Sequence, residues 1–399
     1  MPPVIPLPER RFPARRRLRL RPPHLRTLEA EAHRTATWLE LFYDLAFVVV
    51  VAVLGQRLGT AHDLSGVLSY LGYFFLVWWL WASHTFYADR YDTDDLVYRL
   101  LATTQLVAVA IIAASLAPGE SMSATGFAVG YTLARCALLV MYWRARRHVI
   151  ETRALVSGYL VGFGVGAVLW AISIFVPDTA RYTLWAVALT VDLATPWLMR
   201  GEQARAPLDI SHLPERFGLF TILVLGESIA ATVIGLSGHA WSPASTFAAV
   251  MALVIATAIW WLYFDNVEGL VVRRTAAVAR TWRPTVWIYS HSGLAAGLGI
   301  MAIGLEHAIA AAGEGPFDEF ETWVLVGGTA LATLSLSLTH LASGDETTWA
   351  IHNRVAGARA LSALGILALG LFGMTASGLA LGTAVILVGT AAIGVTRDA

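Results

Sequence analysis

The chain is built from apolar runs about as long as a bilayer is thick, and this feature constrains its fold more than any other. A helix needs ~20 mostly apolar residues to cross the hydrocarbon core. Runs that fit fall near 37–57, 67–88, 97–117, 121–143, 154–176 and 181–199. A second set falls near 213–237, 243–265, 284–305, 321–341, 356–373 and 376–395. Turn chemistry separates them, as in LAPGES at 116–121, FVPDT at 175–179 and LSGHAWSP at 236–243. Only 14% of residues are charged against 57% hydrophobic, where a soluble domain carries roughly 25% charged residues. The expected fold is all-α, a polytopic membrane bundle of about twelve helices. A lone cysteine, Cys136, excludes an internal disulfide and any cysteine-built metal centre.

Charge distribution orients these spans. There is no lysine, so all 28 cationic side chains are arginines. With the N-terminus inside, 25 of them fall on the inner side, Arg57 and Arg181 fall outside, and Arg135 lies within a span. The positive-inside rule then makes both termini cytoplasmic. Residues 1–36 read as a disordered Arg/Pro-rich arm against anionic lipid headgroups, not as a cleaved signal, because no apolar stretch follows RRRLRLRPP within it.

The remaining chain divides into 37–199, a cytoplasmic linker at 200–212, and 213–395. The first and seventh spans both open on Glu-x-Phe, at Glu40 and Glu215, and the second and eighth both carry Trp-Trp-Leu, from Trp78 and Trp260. These offsets of 175 and 182 residues suggest two parallel six-helix repeats, related by an axis along the membrane normal.

Several segments make the chain similar to the bacterial low temperature requirement A family. They are ELFYDLAFV at 40–48, RYDTDDLVYR at 90–99, ERFGLFTILVLGESI at 215–229, WWLYFD at 260–265 and YSHSGLAAGLGIMAIGLEH at 289–307. The resemblance implies a multi-pass protein of the bacterial inner membrane linked to growth in the cold, and it brings no settled chemistry. At the level of architecture, Phe42 and Asp44 early in the first span are also similar to lysosomal-type potassium channels of two six-helix repeats.

Ionisable groups inside a span face a partner, a cavity or water, and mark functional sites. Glu227, ~21 Å into the seventh span at 1.5 Å per residue, has no charged neighbour in TILVLGESIAATV, so it either takes a proton or pairs, with Arg135 as the expected partner. Asp44 lies one turn deeper than Glu40 on the same face, so Glu40 reads as a first-turn cap and Asp44 as lining a polar cavity. Asp192 precedes Pro196, whose missing N–H frees a carbonyl for a cation. His291, flanked by Ser290, Ser292 and Gly293, completes the candidate ion, solute or proton set.

Glu215, Arg216 and Asp265 mark helix starts or the inner boundary, and Asp92, Asp94, Asp95 and Arg99 form a charged inner loop suited to gating or pairing. No P-loop, HExxH or GxSxG motif occurs, and GFGVG at 162–166 lies inside a span, where it serves helix contact and not dinucleotide binding. No cofactor, resident metal or nucleic-acid partner is expected.

The residues point to a secondary transporter or channel for a small ion or solute, cation- or proton-linked because acids outnumber bases in the spans. An alternative is a lipid-modifying enzyme whose metal would sit among His84, His291 and the aspartates at 89–95. A scaffold recruited through the basic arm is a third. The solute and the oligomeric state are not legible.

Overall fold

A computed structural model describes residues 20–25, 36–92, 94–118, 122–205, 212–237, 241–264, 282–343 and 349–395. Within them the chain is helical almost throughout. The long helices are α1 (Trp38–Gly59), α2 (Leu64–Arg90), α3 (Leu96–Leu116), α4 (Ala124–His148), α5 (Arg153–Ser173) and α6 (Asp178–Leu198). They continue as α7 (His212–Ser237), α8 (Pro243–Phe264), α9 (Arg283–Ala310), α10 (Glu319–Ser343), α11 (Trp349–Leu369) and α12 (Ala376–Val395).

Ten of these, α1–α5, α7–α10 and α12, are long and apolar enough to cross a membrane. The other two, α6 and α11, are 21 residues each but more polar: α6 carries Asp178, Arg181 and Asp192, and α11 carries Arg354 and Arg359.

Helix starts follow local capping chemistry. Thr37 and Glu40 form a capping box on α1, each side chain meeting the other's backbone N–H. Asp63, Asp95 and Ser123 cap α2, α3 and α4 by accepting from Gly66, Tyr98 and Gly126. Pro214 sits in the first turn of α7, where a missing N–H costs nothing.

Two boundaries differ from the sequence expectation. α9 continues to Ala310 and not 305, because helix-favouring residues run on to Gly313, which turns the chain at φ 98°. This extension carries Glu306 and His307 onto the helix. α11 begins at Trp349, well before 356. Inside the arm, His24–Leu25 pairs antiparallel with Tyr91–Asp92, just beyond α2, a contact that composition does not announce. The rest of the arm, residues 1–19 and 26–35, lies outside the described residues.

α1 packs against α2 and α3 on one side and α7 and α9 on the other, so it sits at the junction between the two halves of the chain. On one side contacts run α3–α4–α5–α6, and on the other α7–α9–α10–α11, with α8 against α12. The closest approach is α9 on α10. A Cβ at Gly304 would stand 2.5 Å from Leu325 Cα, and one at Gly328 would stand 2.5 Å from the Met301 nitrogen. Small residues let membrane helices pack backbone to backbone, and here they pin α9 against α10.

Candidate functional site

Where α1 and α7 begin, a charged cluster is sealed in the bundle. Glu40 and Asp44 stand one turn apart on α1, and His212 and Arg216 stand one turn apart on α7, so the two pairs meet as rungs. Arg216, wholly buried, donates from Nη2 to Asp44 Oδ1 at 2.6 Å and from Nε to Oδ2 at 3.2 Å. This is a bidentate fork, the geometry a guanidinium favours with a carboxylate. Trp81 Nε1 on α2 donates to the same Oδ1 at 2.7 Å.

The upper rung is looser. Arg216 Nη1 is 3.4 Å from Glu40 Oε1, and His212 Nε2 is 3.7 Å from Glu40 Oε2. His212 Nδ1 lies 3.4 Å from Asp89 of α2. Burying such charges is costly unless they pair, and this cluster sets three carboxylates against Arg216 and His212. Phe217 and Phe220 of α7, packed on the Trp81 ring at 5.0 and 4.3 Å between centroids, close it toward the bundle centre.

A second buried ion pair joins Arg135 of α4 to Asp192 of α6. The Arg135 guanidinium also lies over the Phe163 ring, 4.9 Å from its centroid, and donates to Ser83 Oγ at 3.2 Å. Gly166 on α5 makes room, since a Cβ there would lie 2.4 Å from Asp192 Oδ1. Arg135 therefore pairs with Asp192, and the expected pairing with Glu227 does not form.

Glu227 instead lines a crevice of about 40 Å³ among α1, α7 and α9, together with Gln56, Gly55, Ile303 and Glu306. That volume suffices for a water molecule. Among the described residues neither Glu227 nor Glu306 has an ion pair or a protein hydrogen bond. Next to Glu306, His307 pairs with Glu321 of α10. Along α7 the crevice is ~16 Å from Arg216 at 1.5 Å per residue, and buried Phe47, Val48, Val51, Phe220 and Val224 fill the interval.

The other anticipated residues hold local contacts. His291 is 2% exposed, with Nδ1 2.6 Å from the Trp287 carbonyl and Nε2 3.1 Å from Tyr263 Oη. Glu215 accepts from the Ala36 N–H at 3.1 Å, and Asp94 pairs with Arg99 at 2.8 Å. Asp95 caps α3 and pairs with Arg144 at 2.7 Å. Burial works against its charge, but Arg144 and the Tyr98 N–H outweigh it and hold the carboxyl below its usual range.

Asp92 lies in the short strand, and Asp265 lies outside the described residues. No group of three or more His, Cys, Asp or Glu side chains suited to a metal occurs among the described residues, and His84 and His291 each sit in separate aromatic packing.

Three participants escaped the sequence reading. His212 fell in the expected linker and Glu306 in an expected loop, while Gln56 near the end of α1 drew no notice. The i, i+4 spacing of His212 and Arg216, matching that of Glu40 and Asp44, was the available signal.

A match to the family model of the bacterial low temperature requirement A protein spans residues 35–396. An uncharacterized protein of Rhizobium meliloti (strain 1021) is 25% identical over 292 residues, covering 69% of this chain and 70% of the relative. No solved structure matches the chain.

Proposed function

The chain belongs to the bacterial low temperature requirement A family, and we propose that this member is a secondary transporter for a small cation or proton. The observation that carries the reading is the pair of half-buried carboxylates, Glu227 and Glu306, without an ion pair among the described residues, at a crevice inside an apolar bundle. A carboxylate kept in such surroundings without an ion-pair partner is suited to take a proton or a metal cation and release it again.

The packed interval between this crevice and the Asp44 cluster favours a carrier that rearranges over a channel with a continuous polar pore. Asp44, with Glu40, would serve the cation path at the far end. Asp192, held by Arg135, would brace the first half.

The same proposal takes α6 and α11 as spans, because 21 helical residues reach ~31 Å. It also takes the two halves as parallel six-helix repeats, since α1–α3–α4–α5–α6 and α7–α9–α10–α11–α12 follow one order of neighbours. The arginine distribution supports cytoplasmic termini in the bacterial inner membrane, with the basic arm on anionic headgroups.

The test is proton-dye and potassium flux in proteoliposomes, wild type beside Glu227→Gln. Flux in wild type that is lost in the variant supports the assignment. Undiminished flux in the variant removes its centre.

A further inference from the structure

Arg216 holds an unusual place for a cation in a membrane bundle. It has no solvent exposure, it occupies both oxygens of Asp44, and its Nη1 points at Glu40 without closing a hydrogen bond. His212, 1% exposed, likewise aims Nε2 at Glu40 and forms no hydrogen bond with it. Two buried side chains thus come within ion-pair distance of one carboxylate without hydrogen-bonding it. Glu40 Oε2 is taken instead by the Thr37 N–H at 2.7 Å and the Thr37 hydroxyl at 2.9 Å.

In a sealed structural pair each buried donor is expected to find an acceptor. The slack here marks a site whose occupancy is not final. Its location matters too: Asp44 and Glu40 come from α1, Asp89 and Trp81 from α2, and Arg216 and His212 from α7. This cluster therefore ties the first half of the chain to the second at one end of the bundle.

We propose that Asp44 and Glu40 form a second cation site, and that the Arg216 guanidinium is its tethered occupant, displaced when a proton or a small monovalent cation arrives. A carboxylate pair that binds a guanidinium binds other cations by the same electrostatics. The guanidinium is covalently held within reach, so it competes at high effective concentration. While Arg216 is seated, α1, α2 and α7 are locked and this end is closed. Neutralising Asp44, or screening it with a bound cation, frees the arginine and loosens the tie.

The groups that face the exchange are Glu40, Tyr43 and Asp44 on α1, His84 and Asp89 on α2, Tyr98 on α3, and His212 and Arg216 on α7. His84 and Tyr98 are linked at 3.3 Å. His212 between Glu40 and Asp89 keeps the cluster closer to neutral when it carries a proton, so proton arrival and arginine release act on one charge balance. The inference deepens the transporter reading and rests on it for the identity of the ion.

The test reads closure without transport. In a Cys136→Ser background, Val48→Cys places a thiol one turn beyond Asp44, at a side chain 5% exposed. Its labelling by a membrane-impermeant maleimide is followed in proteoliposomes at neutral pH, in choline buffer and then with potassium, sodium or at lower pH.

Labelling should be slow in choline and rise at least roughly tenfold with the effective cation or with acid, the change expected when a mostly closed population opens. Arg216→Gln should label fast in every buffer, and Arg216→Lys should restore cation dependence. Labelling that ignores cation, pH and Arg216→Gln overturns the proposal. If Arg216→Gln does not fold, the wild-type cation response and Arg216→Lys still decide. Cation-gated labelling without any Glu227-dependent flux would sink the transporter reading and leave the gate. Glu227-dependent flux with invariant labelling would do the reverse.

Discussion

The Arg135–Asp192 pair offers a quantitative test because both partners are wholly enclosed, at 1% and 0% exposure. Replacing one member leaves the other charge buried and uncompensated, which costs about 3–5 kcal/mol, whereas replacing both with apolar residues of similar volume is close to neutral. Arg135→Met and Asp192→Leu should therefore each lose about 3 kcal/mol or more.

Arg135→Met should lie at the upper end, because it also gives up the cation–π contact with Phe163 and the hydrogen bond to Ser83. The double variant Arg135→Met/Asp192→Leu should recover most of the loss. The assay is the folded fraction in mixed micelles against SDS mole fraction, read by tryptophan fluorescence, with the four proteins closed into a double-mutant cycle. Single variants within about 1 kcal/mol of wild type, or losses that simply add in the double variant, would refute the reasoning. A stable double variant that retains flux would also separate this bracing pair from the exchangeable one at Asp44.

Glu306→Gln should impair proteoliposome flux as severely as Glu227→Gln, because both carboxylates line one crevice; unaltered flux would remove Glu306 from the path. Gly304→Leu should force α9 and α10 apart and cost about 1–3 kcal/mol or more, visible as a lower SDS midpoint, since even a Cβ at this position collides with Leu325. Asp95 is held below its usual range in the folded protein, so its contribution is complete above about pH 4 and is lost as pH falls through the lowered value. Hydrogen-exchange protection factors at the Tyr98 amide and around His24–Leu25 should then fall on acidification, and Asp95→Asn should show the same fall at neutral pH. Protection factors that stay constant with pH at both places would contradict this account.

Glu40, Asp44 and Glu227 stood out in the sequence because a carboxylate in an apolar run is conspicuous without any knowledge of its neighbours. Their partners did not. Asp44 and Arg216 are 172 residues apart, and no local pattern ties them together. Glu227 and Arg135 looked like complementary charges only while their azimuths on the bundle were unknown. With α5 and α6 in place, Gly166 opens the way for Asp192 to reach Arg135 first. Glu306 was hidden by an underestimated helix end, since a ruler of ~20 residues stops short of α9's 28.

The sequence by itself determined the membrane class and the order of the helices, because bilayer thickness acts along the chain as a one-dimensional length on hydropathy. The facing of each polar side chain was decided only in three dimensions. There, α9 is drawn against α10 through glycines, α1 is wedged between the halves, and Asp44 and Asp192 meet their arginines on helices that the chain reaches far apart.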